Sequence, residues 1–402
     1  MFIEPFHVRL AAQEPEQFVE DRLEMQLLGG DEWEPFAQRE ARLRAEHGVS
    51  ARARAVGLEL SLIEHEPEQL MILKHVVGIV EGSPRIATEF FDERGVGVHI
   101  LCCGNRPMNI LVTGASGLVG SAACAALTRE GHRVTMLRRG ASGDGPSWAP
   151  EEGRINLAPA GPLDAVLHLA GETIAQRWTQ KAKQRIRDSR VEGTRVLCEA
   201  LVNLPEPPKT LVCASATGFY GDRGDEWLDE SSAPGTGFLA DTCQEWEAAA
   251  APAARAGVRV VHLRFGLVLA KEGGALAKML PAFKLGLGGR LGDGRAWWSW
   301  IAIGDLVRVI QLALTDDSLR GPVNAVAPHP VTNAEFTRAL GRVLHRPAIL
   351  PVPRFVIQTV FGEMGREALL GSARVRPAVL GKHGFTFLHG EIESALRAVL
   401  HP

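Results

Sequence analysis

Tyr220 is the only tyrosine in the 402 residues of the chain. A protein with one phenol has one candidate for a tyrosine proton donor, so that residue has to be weighed by itself. Long apolar runs are missing as well. No stretch reaches the roughly 18 residues that a membrane-crossing helix needs, and the opening MFIEPFHVRL lacks the basic region and apolar core of a secretory leader. No membrane association is expected, and the cytoplasm is the expected location. The six cysteines, Cys102, Cys103, Cys124, Cys198, Cys213 and Cys243, show no C-x-x-C spacing. Free, mostly buried thiols follow, with no metal centre. A net charge of −3 argues against a nucleic-acid surface.

That average conceals a division. Residues 1–107 carry 19 acidic and 11 basic residues, whereas 108–402 carry 28 and 33. So uneven a split, in a chain too long for one ordinary core, implies separate domains. In the first part, GLELSLIEH (57–65), MILKHVVGIV (71–80) and GVGVHILCC (95–103) read as strands, and a helix is expected near 31–46. This predicts a small α+β unit, without any motif that reveals its role.

From Met108 onward strands and helices alternate. NILVTG (109–114), HRVTMLRR (132–139), DAVLHLAG (164–171), KTLVCASA (209–216) and VRVVHLRFG (258–266) are strand-like and nearly continuous in apolar residues, with helical patterns between most of them. Such strands are covered on both faces, as in a doubly wound parallel Rossmann sheet. GPVNAVAP (321–328) reads as a further strand, and helices are expected at 303–315, 332–345 and 353–370. The expected domains are therefore an N-terminal unit (1–107), a nucleotide-binding sheet (108–268, completed by about 300–328) and a smaller substrate domain (269–402).

TGASGLVG follows the first strand and opens a helix. Gly114, Gly117 and Gly120 fall in a G-x-x-G-x-x-G pattern, with Ser116, Leu118 and Val119 between them. Such a turn needs positive φ and close backbone approach to a pyrophosphate, and the helix N-terminus offers unpaired N–H groups to the anion. Ala170 and Gly171, at the end of the third strand, are expected to contact the cofactor as well. The second strand ends in Arg138 and Arg139, where an NAD site would carry an acid. Guanidinium groups suit a 2′-phosphate, so NADP(H) is the expected cofactor.

Together with the glycine motif, several stretches occur in order: DAVLHLAGETIAQRWTQKAKQRIRDSRVEGT, SATGFYGDRGDEWLDE, GFLADTCQEWEAAA, GGALAKMLPAFKLGLGG and HPVTNAEFTRALGRVLHRP. In these, the chain from about Met108 to the end resembles the epimerase family proteins, an atypical group of the extended short-chain dehydrogenase/reductases often labelled nucleoside-diphosphate-sugar epimerases. The resemblance implies an NADP(H)-binding Rossmann domain and a C-terminal domain closing over a small-molecule substrate whose identity, like the oligomeric state, it leaves open.

The wider superfamily uses a Ser with Tyr-x-x-x-Lys on one helix. Here Ser215 ends the fourth strand, but the expected helix, GFLADTCQEWEAAA, has Phe238 or Leu239 at the Tyr position and Thr242 or Cys243 at the Lys position. Arg190 stands where many extended relatives have Asn, and WSWIAIGDL has Ala302 and Gly304 where relatives commonly show His and Asp. Two readings follow. In one, the protein is an epimerase-like oxidoreductase with an unusual site: Ser215 holds the substrate oxygen and Tyr220 moves the proton, while Glu172, Trp178, Cys243, Trp246 and Trp300 shape the substrate pocket. In the other, it binds NADP(H) without turnover, as a sensor. Each residue also has a purely structural reading, Tyr220 as a packed aromatic with one partner and the tryptophans as domain core.

Overall fold

The structure, a computed structural model, describes residues 107–140 and 144–401, together with the backbone of three strands before them, Glu24–Leu27, Arg85–Phe91 and Gly97–Cys103. Two compact units result, Met1–Arg106 and Pro107–Pro402. In the first, the Gly97–Cys103 strand lies between the other two in an antiparallel sheet, with Glu24 opposite Leu101 and Arg85 opposite Cys103. The strands read at 57–65 and 71–80 and the helix read near 31–46 fall outside the described residues.

The second unit is built on eight strands. Across the sheet they run Gly321–Ala325, Arg259–Phe265, Thr210–Ala216, Ala165–His168, Asn109–Thr113, Arg133–Arg139, Ser147–Ala149 and Arg154–Asn156. All neighbours are parallel except the last pair, which is antiparallel. The chain starts at the Asn109 strand, winds outward to one edge and then returns to the other side. Between the Asn109 and Ala165 strands the winding direction reverses, which opens a crevice at their carboxyl ends.

Strand periodicity explains how both faces are filled. Ile110 and Val112 face one core, with Leu167, Val261, Leu263 and Ile310; Leu111 faces the other, with Val166, Leu197, Leu211 and Cys213. Alternate residues point to opposite faces, so a strand covered by helices on both sides must be apolar throughout. Helices Leu118–Arg129 and Ile303–Thr315 contribute to the first core, and Gln180–Val202 and Ala251–Arg255 to the second.

A third core lies in the C-terminal lobe, among helices Gly274–Lys284, Asn333–Leu344 and Ile392–Leu400. Thr332 caps the middle helix in a reciprocal box with Glu335. Trp300 is fully buried in this core and its indole N–H donates to the His329 carbonyl at 3.1 Å. The expectation that Trp300 shapes a pocket is thus corrected: no part of its ring reaches the surface. The helix expected at 353–370 is broken at Gly362, whose φ of +61° ends Arg354–Phe361, and resumes as a wide π turn at Gly365–Leu369.

Candidate functional site

The crevice has two ends. At one, Gly114 adopts φ of +67°, and a Cβ there would stand 2.8 Å from the Leu169 carbonyl and the Ala170 nitrogen. The loops after the two central strands therefore touch. A Cβ on Gly120 would lie 2.1 Å from the Gly114 carbonyl oxygen, so the helix starts directly against the turn. Gly117 is the N-cap, and its own N–H donates to Gly114 at 3.0 Å. Ser116 and Gly117 are exposed, Leu118 and Val119 partly buried, and Gly120 buried. The glycines thus let turn, helix start and neighbouring loop pack backbone against backbone, which leaves the helix N-terminus at the head of the crevice as a cradle for an anion. Beside it, Ala170 is buried and Gly171 exposed. Arg138 and Arg139 are both exposed at the end of the neighbouring strand, and among the described residues no carboxylate pairs with either.

Beneath the cradle runs a buried neutral network. Thr113 Oγ1 accepts from the Leu169 and Ala170 nitrogens at 3.1 and 3.2 Å and lies 2.7 Å from His168 Nδ1. With its lone pairs so engaged, the threonine hydroxyl donates to Nδ1, which leaves the Nε2–H of His168 to donate to Thr194 Oγ1 at 2.9 Å. Burial pushes His168 down to about 4, so it stays neutral. Thr113 and His168 look like ordinary strand residues in the sequence, yet they lock the two loops together.

At the other end, Ser215, Arg264 and Asn324 occupy one row across three parallel strands, since Arg264 is in register with both. Glu247, from the helix Phe238–Ala248, receives Arg264 through Nε and Nη2, each at 2.8 Å. Ser215 Oγ donates to the same carboxylate at 2.7 Å. Arg264 Nη1 donates to the Tyr220 hydroxyl at 2.9 Å, and that hydroxyl donates to Asn324 Oδ1 at 2.7 Å. Burial pushes the Glu247 carboxyl up, but Arg264 and Ser215 outweigh it and hold it below its usual range. For Tyr220 burial wins, and the phenol is raised despite Arg264. Tyr220 is fully buried, packed with Leu228, Val326 and Val375, and Ser215 is 2% exposed. The two hydroxyls are joined through Glu247 and Arg264, and each spends its proton inside the fold. Thr217, in the turn just after the serine strand, is the partly exposed hydroxyl of this segment.

The helix Phe238–Ala248 resolves the register that sequence left open. A Cβ added to Gly218 would meet Leu239 Cβ at 3.3 Å and Cys243 Sγ at 3.9 Å. Leu239 and Cys243, four residues apart, are therefore the pair facing the strand end. Burial pushes the Cys243 thiol up to about 12. Trp246 is buried, with its indole N–H on Thr194 Oγ1 at 3.0 Å. Glu172 is partly buried and accepts from Gln176 Nε2 at 3.2 Å. Trp178 packs edge-on against Phe238 and lines a cleft of about 430 Å³ with Lys183, Arg187 and Glu363. One contributor had no local signal: Glu367 receives the Phe238 and Leu239 nitrogens at 3.2 and 3.0 Å, capping this helix from far along the chain.

Comparison with known proteins agrees with this architecture. Residues 110–325 match the NAD dependent epimerase/dehydratase family, and residues 352–399 match a domain of unknown function, DUF1731. An epimerase family protein of Mycobacterium bovis is 44% identical over 290 residues, 71% of this chain and 96% of that protein. The solved human epimerase family protein SDR39U1 (isoform 2) with NADPH superposes with a TM-score of 0.67 at 34% identity, covering 72% of this chain and 98% of that one. A nucleoside-diphosphate sugar epimerase from Corynebacterium glutamicum gives 0.60 at 32% identity, over 81% of this chain and 73% of its own.

Proposed function

The chain belongs to the NAD dependent epimerase/dehydratase family, and on that premise we propose that it is an NADP(H)-binding, epimerase-like oxidoreductase whose site works without a Tyr-x-x-x-Lys pair. The observation that carries this reading is the conjunction of a glycine turn and helix N-terminus at Gly114–Gly120 with two exposed cations, Arg138 and Arg139, at the next strand end, neither paired with a carboxylate among the described residues. The cradle's backbone N–H groups hold the pyrophosphate, and the paired guanidinium groups receive a 2′-phosphate. When bound, the nicotinamide supplies or accepts a hydride. NADPH in the human relative supports the same choice of cofactor.

The chain's own residues then define the substrate side. Leu239 and the un-ionised Cys243 form an apolar wall against the strand end, excluding water. In this reading Thr217 orients the substrate oxygen, since Ser215 and Tyr220 are enclosed. The substrate is a small molecule, taken into the cleft beside Trp178.

Replacing both Arg138 and Arg139 by Ser weakens NADPH binding by about 10- to 100-fold while leaving NADH nearly unchanged, the loss expected for one or two charge-assisted hydrogen bonds. Titration by nicotinamide fluorescence measures this, and equal effects on both cofactors would refute the assignment. A second reading, a sensor that binds NADP(H) without turnover, is favoured by Leu239 and the un-ionised thiol of Cys243 standing at the Tyr and Lys positions of that helix. NADPH oxidation with a panel of carbonyl compounds and sugar nucleotides separates the two. Turnover lost in Thr217→Val supports the enzyme; a ligand that changes NADPH release without oxidising it supports the sensor.

A further inference from the structure

Cys243 stands where the superfamily's helix would present a cation, and its thiol supplies no charge. A cation is nevertheless present beside it. Arg190, from the packed helix Gln180–Val202, sends Nη1 to the carbonyls of Glu172 at 2.9 Å and Ile186 at 3.0 Å. Its guanidinium lies 5.1 Å from the centre of the Trp246 ring, one turn beyond Cys243. A Cβ on Gly171 would meet the guanidinium carbon and Nη2 at 3.3 Å, so the group covers the loop that follows the Ala165–His168 strand. The fields of Arg190 and Cys243 act on each other's ionisation.

Two backbone carbonyls fix the guanidinium without neutralising it. Among the described residues no carboxylate comes within ion-pair distance of Arg190, although the Glu172 charge acts on it from further away. The side chain is partly buried, and Nη2 and Nε have no hydrogen-bond acceptor among the described residues. A half-buried cation with unused donors at a crevice gains from an oxygen-rich, anionic neighbour.

We infer that Arg190 replaces the missing lysine: from the adjacent helix it positions the nicotinamide half of the dinucleotide by donating to its ribose and phosphate oxygens. Loss of the lysine at Cys243 and gain of the arginine are two parts of one exchange between neighbouring helices. The inference rests on the NADP(H) reading, and its test separates the two. It concerns a positioning residue, acting on the half of the cofactor that Arg138 and Arg139 do not reach.

The test measures the affinity of the full chain for NADPH and for 2′,5′-ADP, which carries the phosphate-bearing adenosine half alone. Arg190→Met weakens NADPH by about 10-fold or more, as expected for a lost hydrogen bond from a charged group, and leaves 2′,5′-ADP within about two-fold, inside the ordinary scatter of such measurements. The double variant Arg190→Met/Cys243→Lys recovers part of the NADPH loss. Unchanged NADPH affinity in Arg190→Met overturns the inference. Equal losses of both ligands also overturn it if the charge-retaining Arg190→Lys shows them too, because the damage is then to packing. If the unsubstituted chain binds neither ligand, the NADP(H) reading itself fails and this inference falls with it; binding of 2′,5′-ADP by the unsubstituted chain keeps the two failures apart.

Discussion

The two ends of the crevice use polar residues in opposite ways. At the cradle the exposed groups, Arg138, Arg139 and Ser116, have no carboxylate partner among the described residues, and the support beneath them is the neutral Thr113–His168–Thr194 chain. At the serine strand the polar groups are buried and mutually satisfied, with a charged Arg264–Glu247 pair at the centre. A polar side chain is available to a ligand only where the fold has not already used it. By that measure the glycine end is left free to bind and the Ser215–Tyr220 segment holds three strands and a helix together.

Three measurements sharpen or break this contrast. The largest effect belongs to the charged pair. Glu247→Ala leaves Arg264 buried without its carboxylate and costs about 3–5 kcal/mol, read from urea denaturation at neutral pH; a loss below 1 kcal/mol would mean the network is not structural.

The second effect is a response to acid. Unfolded His168 takes up a proton below about pH 6.5, whereas the native residue resists until about 4. Lowering the pH through that window therefore removes stability, up to about 3 kcal/mol at 1.36 kcal/mol per pH unit. Glu247 acts lower on the scale: its depressed carboxyl contributes stability above the unfolded glutamate range near 4.5 and loses it as the pH falls further. Denaturation curves at pH 7 and pH 5 measure the histidine contribution. In His168→Gln the difference between them shrinks, and an undiminished difference would assign the acid response to other groups.

The smallest effect is the most pointed. Tyr220→Phe removes one buried hydroxyl and strips Asn324 and Arg264 of a partner, costing about 1–3 kcal/mol. NADPH affinity should remain as it was. A loss of turnover or cofactor binding without a loss of stability would return Tyr220 to the chemistry.

Much of the architecture was legible in the chain itself. Near-continuous apolar strands such as Ile110–Val112 cannot rest on one face alone, and a glycine turn between strand and helix has few other uses. The absence of any Tyr-x-x-x-Lys was equally plain. The fate of Ser215 and Tyr220 was not, because their partners Glu247, Arg264 and Asn324 come from other elements and meet only when the strands fall into register. Nor did the sequence disclose the Glu367 cap, or choose between pocket and core for Trp300.

The sequence by itself determined the doubly wound sheet, the cradle and the cations at its rim, since these follow from periodicity, glycine spacing and residue type within short segments. Which polar groups remain free was decided only by the tertiary structure. Hydrogen-bonding capacity is consumed by neighbours in space, and those neighbours are brought together by the packing of distant segments: Ser215 with Glu247, Tyr220 with Arg264, and Arg190 with the loop at Gly171.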